Sequence, residues 1–254
     1  MRLEAPSLAL PGLRHGFFGR AGGVSRGAFA SLHAGLRAPA ERAGALENRR
    51  RIAHVLGADP ARLAVARQVH GGVCLGVTEA WPPLDAPEAD ALATNVPGLA
   101  LGVTTADCVP VLFADPTARV IAAAHAGWRG ALGGVVEAAL LAMRGLGARP
   151  DAIRVAIGPA IRQASYEVGP DLRQTFLEGD PDAAPFFVAG EGDRFRLDLP
   201  GYVALRLRRA GVGRIEDVGE DTLAQPGRFF SYRHATREGA GAHGVQLSAI
   251  LLTA

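Results

Sequence analysis

Lysine is absent from this chain of 254 residues: all 27 basic side chains are arginine. Schiff-base chemistry, pyridoxal chemistry and a phosphate-gripping P-loop each need a lysine, so all three are excluded. Cysteine is scarce. Cys74 and Cys108 are the only two, enough for one disulfide at most. Excess charge is missing too, with 27 basic against 25 acidic side chains and a net charge of +2. Nothing there marks a general binder of nucleic acid or membranes. No apolar run approaches the length of a membrane span. The opening MRLEAPSLALPGLRH has no apolar stretch behind a basic start, the mark of a signal peptide. The expectation is a cytoplasmic protein acting on small molecules, as a monomer or weak homo-oligomer.

What is present is a globular composition, 48% hydrophobic and 20% charged. The length suits one sizeable core. The chain is organised around residues 104–130, TTADCVPVLFADPTARVIAAAHAGWRG. Two apolar runs, 109–114 and 119–124, flank Asp115-Pro116-Thr117, a good turn sequence. An antiparallel pair is predicted, with Cys108 at the start of one strand and His125 at the end of the other. Those two positions become neighbours in space. A thiol beside an imidazole is either a nucleophile with its base or part of a metal site. The next run, 131–146, has helical periodicity. Arg129 stands near its N-terminus, where free N–H groups favour an anion.

Elsewhere a strand is predicted over 13–18, then a Gly-rich loop over 19–35. The loop is either plain surface or an anion-binding lid carrying Arg20 and Ser25. A helix over 40–56 has Ile52, Val55 and Leu56 on its apolar face, and Asn48, Arg49, Arg50 and Arg51 along it. Strands over 63–69 and 73–79 are expected to flank a tight turn at His70-Gly71-Gly72, with Cys74 a buried small residue in the second. Further strands are expected over 99–104, 153–157, 215–218, 229–232 and 245–252, and helices over 170–177 and 201–209. The mixture lacks a regular βαβ rhythm, which favours mixed sheets over a doubly wound parallel fold.

His70 and His125 differ from the other five histidines because each sits at a strand end beside glycine, in a polar cluster that interrupts an apolar run. With Cys108 they make three ligands, leaving one coordination position open as in a catalytic zinc site. The same residues equally support a metal-free Cys108 nucleophile with His125 as base. Asp107 either orients an imidazole, serves as acid or base, or caps local backbone.

These segments identify a resemblance. HGFFGRAGGVS, ENRRRIAHVLG, ARQVHGG, ADALATNVPGLALGVTTADCVPVLF, AAAHAGWRG, AIGPAIRQASYEVG and RFFSYR resemble the YfiH-like proteins, also called the laccase-domain or multicopper polyphenol oxidoreductase family. The resemblance covers nearly the whole chain as one catalytic domain. It implies an α/β (α+β) layered α/β/β/α sandwich of cysteine-hydrolase-like type. It also implies zinc, with copper possible, held by His70, Cys108 and His125. The implied activity is phosphorolysis of adenosine, inosine or guanosine, with deamination of adenosine and phosphorolysis of methylthioadenosine. Nucleoside and phosphate contacts are expected from Arg20, Asn48, Arg49, Gln68, Arg129 and Arg233. Two other readings stay open: a copper oxidase of phenols, and a Cys/His hydrolase of cell-wall precursors. The chain departs from the family pattern at the C-terminal end. His234 replaces an arginine after SYR, and GAGAHG stands where Thr-Gly-Arg is usual. His33 stands where asparagine is common, and a cysteine usual before FFSYR is missing.

Overall fold

The computed structural model describes residues 2–253. β1 (Arg2–Leu3) and β2 (Leu13–Phe18) open the chain, and the Gly-rich segment follows without a strand or α-helix. α1 (Arg42–Leu56) buries Ala45, Asn48, Ile52, Ala53 and Leu56 and stops at Gly57, whose backbone is left-handed. Val55, expected on the apolar face, is 56% exposed because it lies off that stripe.

β3 (Leu63–Val65), β4 (Cys74–Gly76), β5 (Ala91–Thr94) and β6 (Ala100–Thr105) come next. β7 (Val109–Asp115) and β8 (Val120–Ala126) form the expected hairpin, paired from Val109↔Ala126 to Asp115↔Val120. The helix expected after it is two helices, α2 (Trp128–Leu132) and α3 (Val135–Gly145). Gly134 sits between them at φ 90. Its left-handed backbone forms the N-cap of α3, and Gly72 passes close by, where a Cβ would lie 2.9 Å from the Gly133 carbonyl.

β9 (Arg154–Ile157), β10 (Glu167–Val168) and α4 (Pro170–Gly179) follow. Then come β11 (Phe187–Ala189), β12 (Phe195–Leu197) and α5 (Leu199–Arg209). The chain ends with β13 (Arg214–Asp217), α6 (Tyr232–Arg237) and β14 (Gln246–Leu252). The strand expected over 229–232 is absent. Phe229 and Phe230 are buried, and Ser231 caps α6 by accepting from the His234 N–H.

The strands build a five-stranded sheet, β1-β2-β14-β6-β3, and a six-stranded sheet, β13-β9-β7-β8-β5-β4. Both are mixed, with parallel pairs at β3–β6, β4–β5 and β13–β9. β10, β12 and β11 form a small antiparallel third sheet. The hairpin expected around His70 does not form, since β3 and β4 lie in different sheets. The segment between them crosses from one to the other.

Alternation along the strands sorts the core into layers. Val111, Phe113, Ala122 and Ala124 pack with α3 and α5. Leu112, Ala114, Ile121 and Ala123 face the other way, against Leu101, Val103, Ile250 and Leu252 of the five-stranded sheet. That sheet's outer face, with Ala100, Leu247 and Ala249, meets Ile52, Ala53 and Leu56 of α1. The order is helix, sheet, sheet, helices. No helix among the described residues is long and apolar enough to cross a membrane.

Candidate metal centre

The β7–β8 register sets Pro110 opposite His125. His125 continues the parity of Ile121 and Ala123, and Cys108 that of Leu112 and Ala114. Both therefore belong to the face turned toward the second sheet, at its end. His70 reaches the same place from the crossing segment. Its Nε2 lies 3.9 Å from Cys108 Sγ, and its ring centroid 4.8 Å from that of His125. The ligand atoms of all three lie within 4.8 Å of one another.

These residues fit a metal. Tetrahedral zinc sets thiolate and imidazole nitrogen about 3.6 Å apart, close to the observed separation. Gly127 leaves the space: a Cβ there would stand 2.9 Å from His70 Cδ2 and 3.2 Å from Cys108 Sγ. One thiolate and two imidazoles suit zinc or copper. His125 is buried, Cys108 half-buried and His70 exposed, so the group opens to solvent on one side.

Asp90, which the sequence reading passed over, holds the site from behind. It is 1% exposed and stands just before β5. Its Oδ1 accepts from His125 Nδ1 at 2.7 Å and from the His70 N–H at 3.0 Å. Its Oδ2 accepts from the N–H groups of Val69 and Gly71. The bond at Nδ1 leaves Nε2 of His125 for a ligand bond. The only sequence signal was a single carboxylate at the head of an otherwise apolar strand.

Electrostatics bind the group together. Burial alone would raise the Cys108 thiol, but the imidazoles of His125 and His70 outweigh it and bring it down to about 6. Burial alone would lower His125, but Cys108 and Asp90 raise it to about 9. Cys74 is a contrast: burial pushes its thiol up to about 12.

Asp107 does not touch the imidazoles. Its Oδ1 accepts from Thr222 Oγ1 at 2.6 Å, and its Oδ2 from Ser231 Oγ and the Arg233 N–H. It ties the C-terminal segment to the hairpin, through a left-handed backbone at φ 86. Gln68 is occupied by Thr104, accepting from its N–H and Oγ1 and donating to its carbonyl. Asn48 is buried and organises the Gly-rich loop through Val24, Ser25, Ser31 and His33. Arg49 donates to the Ala34 carbonyl, and burial lowers its pKa to about 10. Arg20 donates to the carbonyls of Ala30 and Pro226. These four are engaged with protein, while Arg129 is exposed, stacked over Trp128 at 4.3 Å and, among the described residues, in no ion pair.

Tyr166 is a further member that periodicity could not expose. Arg233 lies over its ring at 5.5 Å and donates to the Glu167 carbonyl. Burial and then Cys108 push its phenol up to about 12, while Arg233 and Arg129 pull the other way. One phenol is thus within electrostatic reach of Cys108 and of both arginines.

A family model described as multi-copper polyphenol oxidoreductase laccase matches residues 14–253. The chain belongs to this family. Relatives of this laccase-type chain carry a different name. A Deinococcus radiodurans protein called purine nucleoside phosphorylase is 42% identical over 231 residues, spanning 91% of this chain and 86% of its own. One of the same name from Pseudomonas aeruginosa is 38% identical over 221 residues, 87% of each chain. Among solved structures, YlmD from Geobacillus stearothermophilus superposes with a TM-score of 0.88 at 32% identity, covering 98% of this chain and 94% of that one. Bacillus licheniformis YfiH gives 0.87 at 31%, covering 95% and 93%. The laccase-type family therefore shares this mixed α/β architecture.

Proposed function

We propose that this protein is a zinc-dependent purine nucleoside phosphorylase. Its substrates are adenosine, inosine or guanosine with phosphate, and its products the free base and ribose 1-phosphate. Adenosine deamination and methylthioadenosine phosphorolysis are companion activities of the same site. The observation that carries this reading is the convergence of His70, Cys108 and His125, closed behind by Asp90 and open in front. When bound, zinc supplies Lewis acidity and a water of lowered pKa at the open side.

The protein's own part is positioning. Asp90 fixes the His125 tautomer and the backbone that presents His70. Arg129, stacked on Trp128 and in no ion pair among the described residues, offers its guanidinium to phosphate, and Arg233, over the Tyr166 ring, is the second candidate. In phosphorolysis a phosphate oxygen bonds to C1′ of the ribose. The C1′–N bond breaks, and its electron pair leaves with the base, which takes up a proton. The names of the relatives support this reaction class.

The family description favours copper and phenol oxidation instead. Several copper centres need several clusters of His and Cys. Among the described residues one group of three or more donors meets, which supports the phosphorylase over the oxidase. Incubation with adenosine, with and without phosphate, decides. Adenine and ribose 1-phosphate that form only with phosphate are expected, with inosine and ammonia from the companion reaction. Neither product pair from metal-loaded protein would overturn the reading. Full activity after exhaustive chelation would keep the reaction but make Cys108 a metal-free nucleophile.

A further inference from the structure

His234 and His243 lie on separate segments, one on α6 and one beyond it. The fold brings them to one cleft of about 190 Å³. The Gly-rich loop forms one side, through Arg20 and Ala28, and the C-terminal segment the other. Phe230 lines it, with the Arg20 guanidinium 4.8 Å from its ring centroid. Each nitrogen of that guanidinium donates to a backbone carbonyl, of Ala30 or Pro226. Among the described residues, neither imidazole has a hydrogen-bond partner at a ring nitrogen. His234 is held through its backbone N–H, and His243 packs edge-on against Tyr232 at 5.0 Å. Burial lowers the His243 pKa against a weaker upward pull from Asp107. A neutral imidazole offers one donor and one acceptor.

One hydrogen bond links the cleft to the segment that carries Cys108. Ser231 lines the cleft and donates to Asp107, the residue before Cys108. Its remaining lining is largely alanine, with Gly244 and Glu238. Such a space suits a flat, uncharged heterocycle: apolar walls for the ring faces, imidazoles for the polar edge. It does not suit phosphate, since its one arginine is engaged and an acidic residue is among its lining.

We propose that this cleft takes the purine base of the substrate, with His234 and His243 reading the base edge. The proposal rests on the nucleoside reading above and assigns base specificity to this cleft. His234→Ala and His243→Ala each remove one edge contact from a half-exposed position, and Ala242→Trp fills the space. The readouts are KM for inosine, KM for phosphate, bound metal, and calorimetric titration of free adenine, which needs no turnover. Each His variant should raise KM for inosine about tenfold, the equivalent of ~1.4 kcal/mol. Phosphate KM and metal content should stay unchanged, and Ala242→Trp should abolish adenine binding. Unchanged inosine KM and adenine binding in all three variants would overturn the proposal. So would a rise in phosphate KM instead, which would make the cleft an anion site. Phosphorolysis by a wild type that binds no adenine sinks the cleft and spares the phosphorylase. Adenine binding that Ala242→Trp removes, without phosphorolysis by wild type, does the reverse. Neither adenine binding nor phosphorolysis by the wild type overturns both.

Discussion

A carboxylate offers about four acceptor sites, and Asp90 has four donors: His125 Nδ1 and the N–H groups of Val69, His70 and Gly71. Nothing is left over for water or substrate, so its role is to hold. It also faces a non-glycine residue in left-handed backbone, His70 at φ 61. Asp90→Ala should weaken zinc binding about 10–100-fold, the usual effect of losing a partner behind a ligand. Competition against a chromogenic chelator measures this, with circular dichroism to check the fold. Unchanged affinity would reduce Asp90 to a loop staple. Cys108 gives a second expectation. Its thiol is brought down to about 6 while that of Cys74 is pushed up to about 12. In chelated protein, alkylation of Cys108 should rise with pH and reach half its maximal rate near pH 6. Cys74 should stay unmodified at neutral pH, and added zinc should protect Cys108. Peptide mass spectrometry reads both sites. A midpoint at the ordinary thiol value would mean that the imidazoles do not act on the sulfur.

The β7–β8 hairpin was legible because its signal is local: two apolar runs, a proline turn, and polar residues only at the ends. Its register then delivers Cys108 and His125 to one face without further information. The segment around His70 looked the same in sequence but folds otherwise. β3 and β4 pair in parallel with β6 and β5, partners distant in the chain, and a glycine turn between apolar runs does not distinguish that from a hairpin. The α2–α3 break was hidden because glycine inside an apolar-periodic run is compatible with a continuous helix, whereas here Gly134 takes a left-handed backbone. Asp90 escaped because its partners come from two segments, neither in helical or strand period with it. The loop after β8 packs closely against the metal centre. Gly127 has an ordinary backbone, φ −70, so alanine there meets no conformational strain. It meets His70 and Cys108 instead. Gly127→Ala should keep the fold yet displace these two side chains, lowering metal content and reducing turnover about a hundredfold. Metal analysis and kinetics on the same preparation test this. Normal metal content would show that the centre yields more readily than its packing implies.

At the scale of the whole molecule, the layers follow from alternation on β7, β8, β6 and β14, whose runs are apolar on both faces. Such runs fit strands covered on both sides. The layered architecture was expected from the family resemblance; its assembly from β7, β8, β6 and β14 is seen only in the structure. A core of this kind tolerates few titratable groups, and His33 is one of them, 3% exposed. Its Nδ1 accepts from the Val245 N–H and so fastens the Gly-rich loop to the segment leading into β14. Burial, the main cause, lowers its pKa from 6.5 to about 4. The folded protein therefore keeps His33 neutral where the unfolded chain protonates it. Stability is lost as pH falls below 6.5, and the loss levels off once pH passes the folded value near 4. From pH 7 to 4.5 the shift amounts to about 2–3 kcal/mol. That corresponds to roughly 4–12 °C in Tm for a chain of this size. His15, also buried and also lowered by burial, adds loss in the same direction. His33→Asn removes the titrating group and keeps an acceptor for Val245. Urea unfolding of both proteins at the two pH values, in chelator so that metal release does not enter, isolates the effect. The variant should lose about 2–3 kcal/mol less between pH 7 and 4.5 than the wild type, whatever the substitution does at pH 7. Equal losses would show that His33 is protonated inside the folded protein, and the acid sensitivity would then have to come from His15 or from the carboxylates.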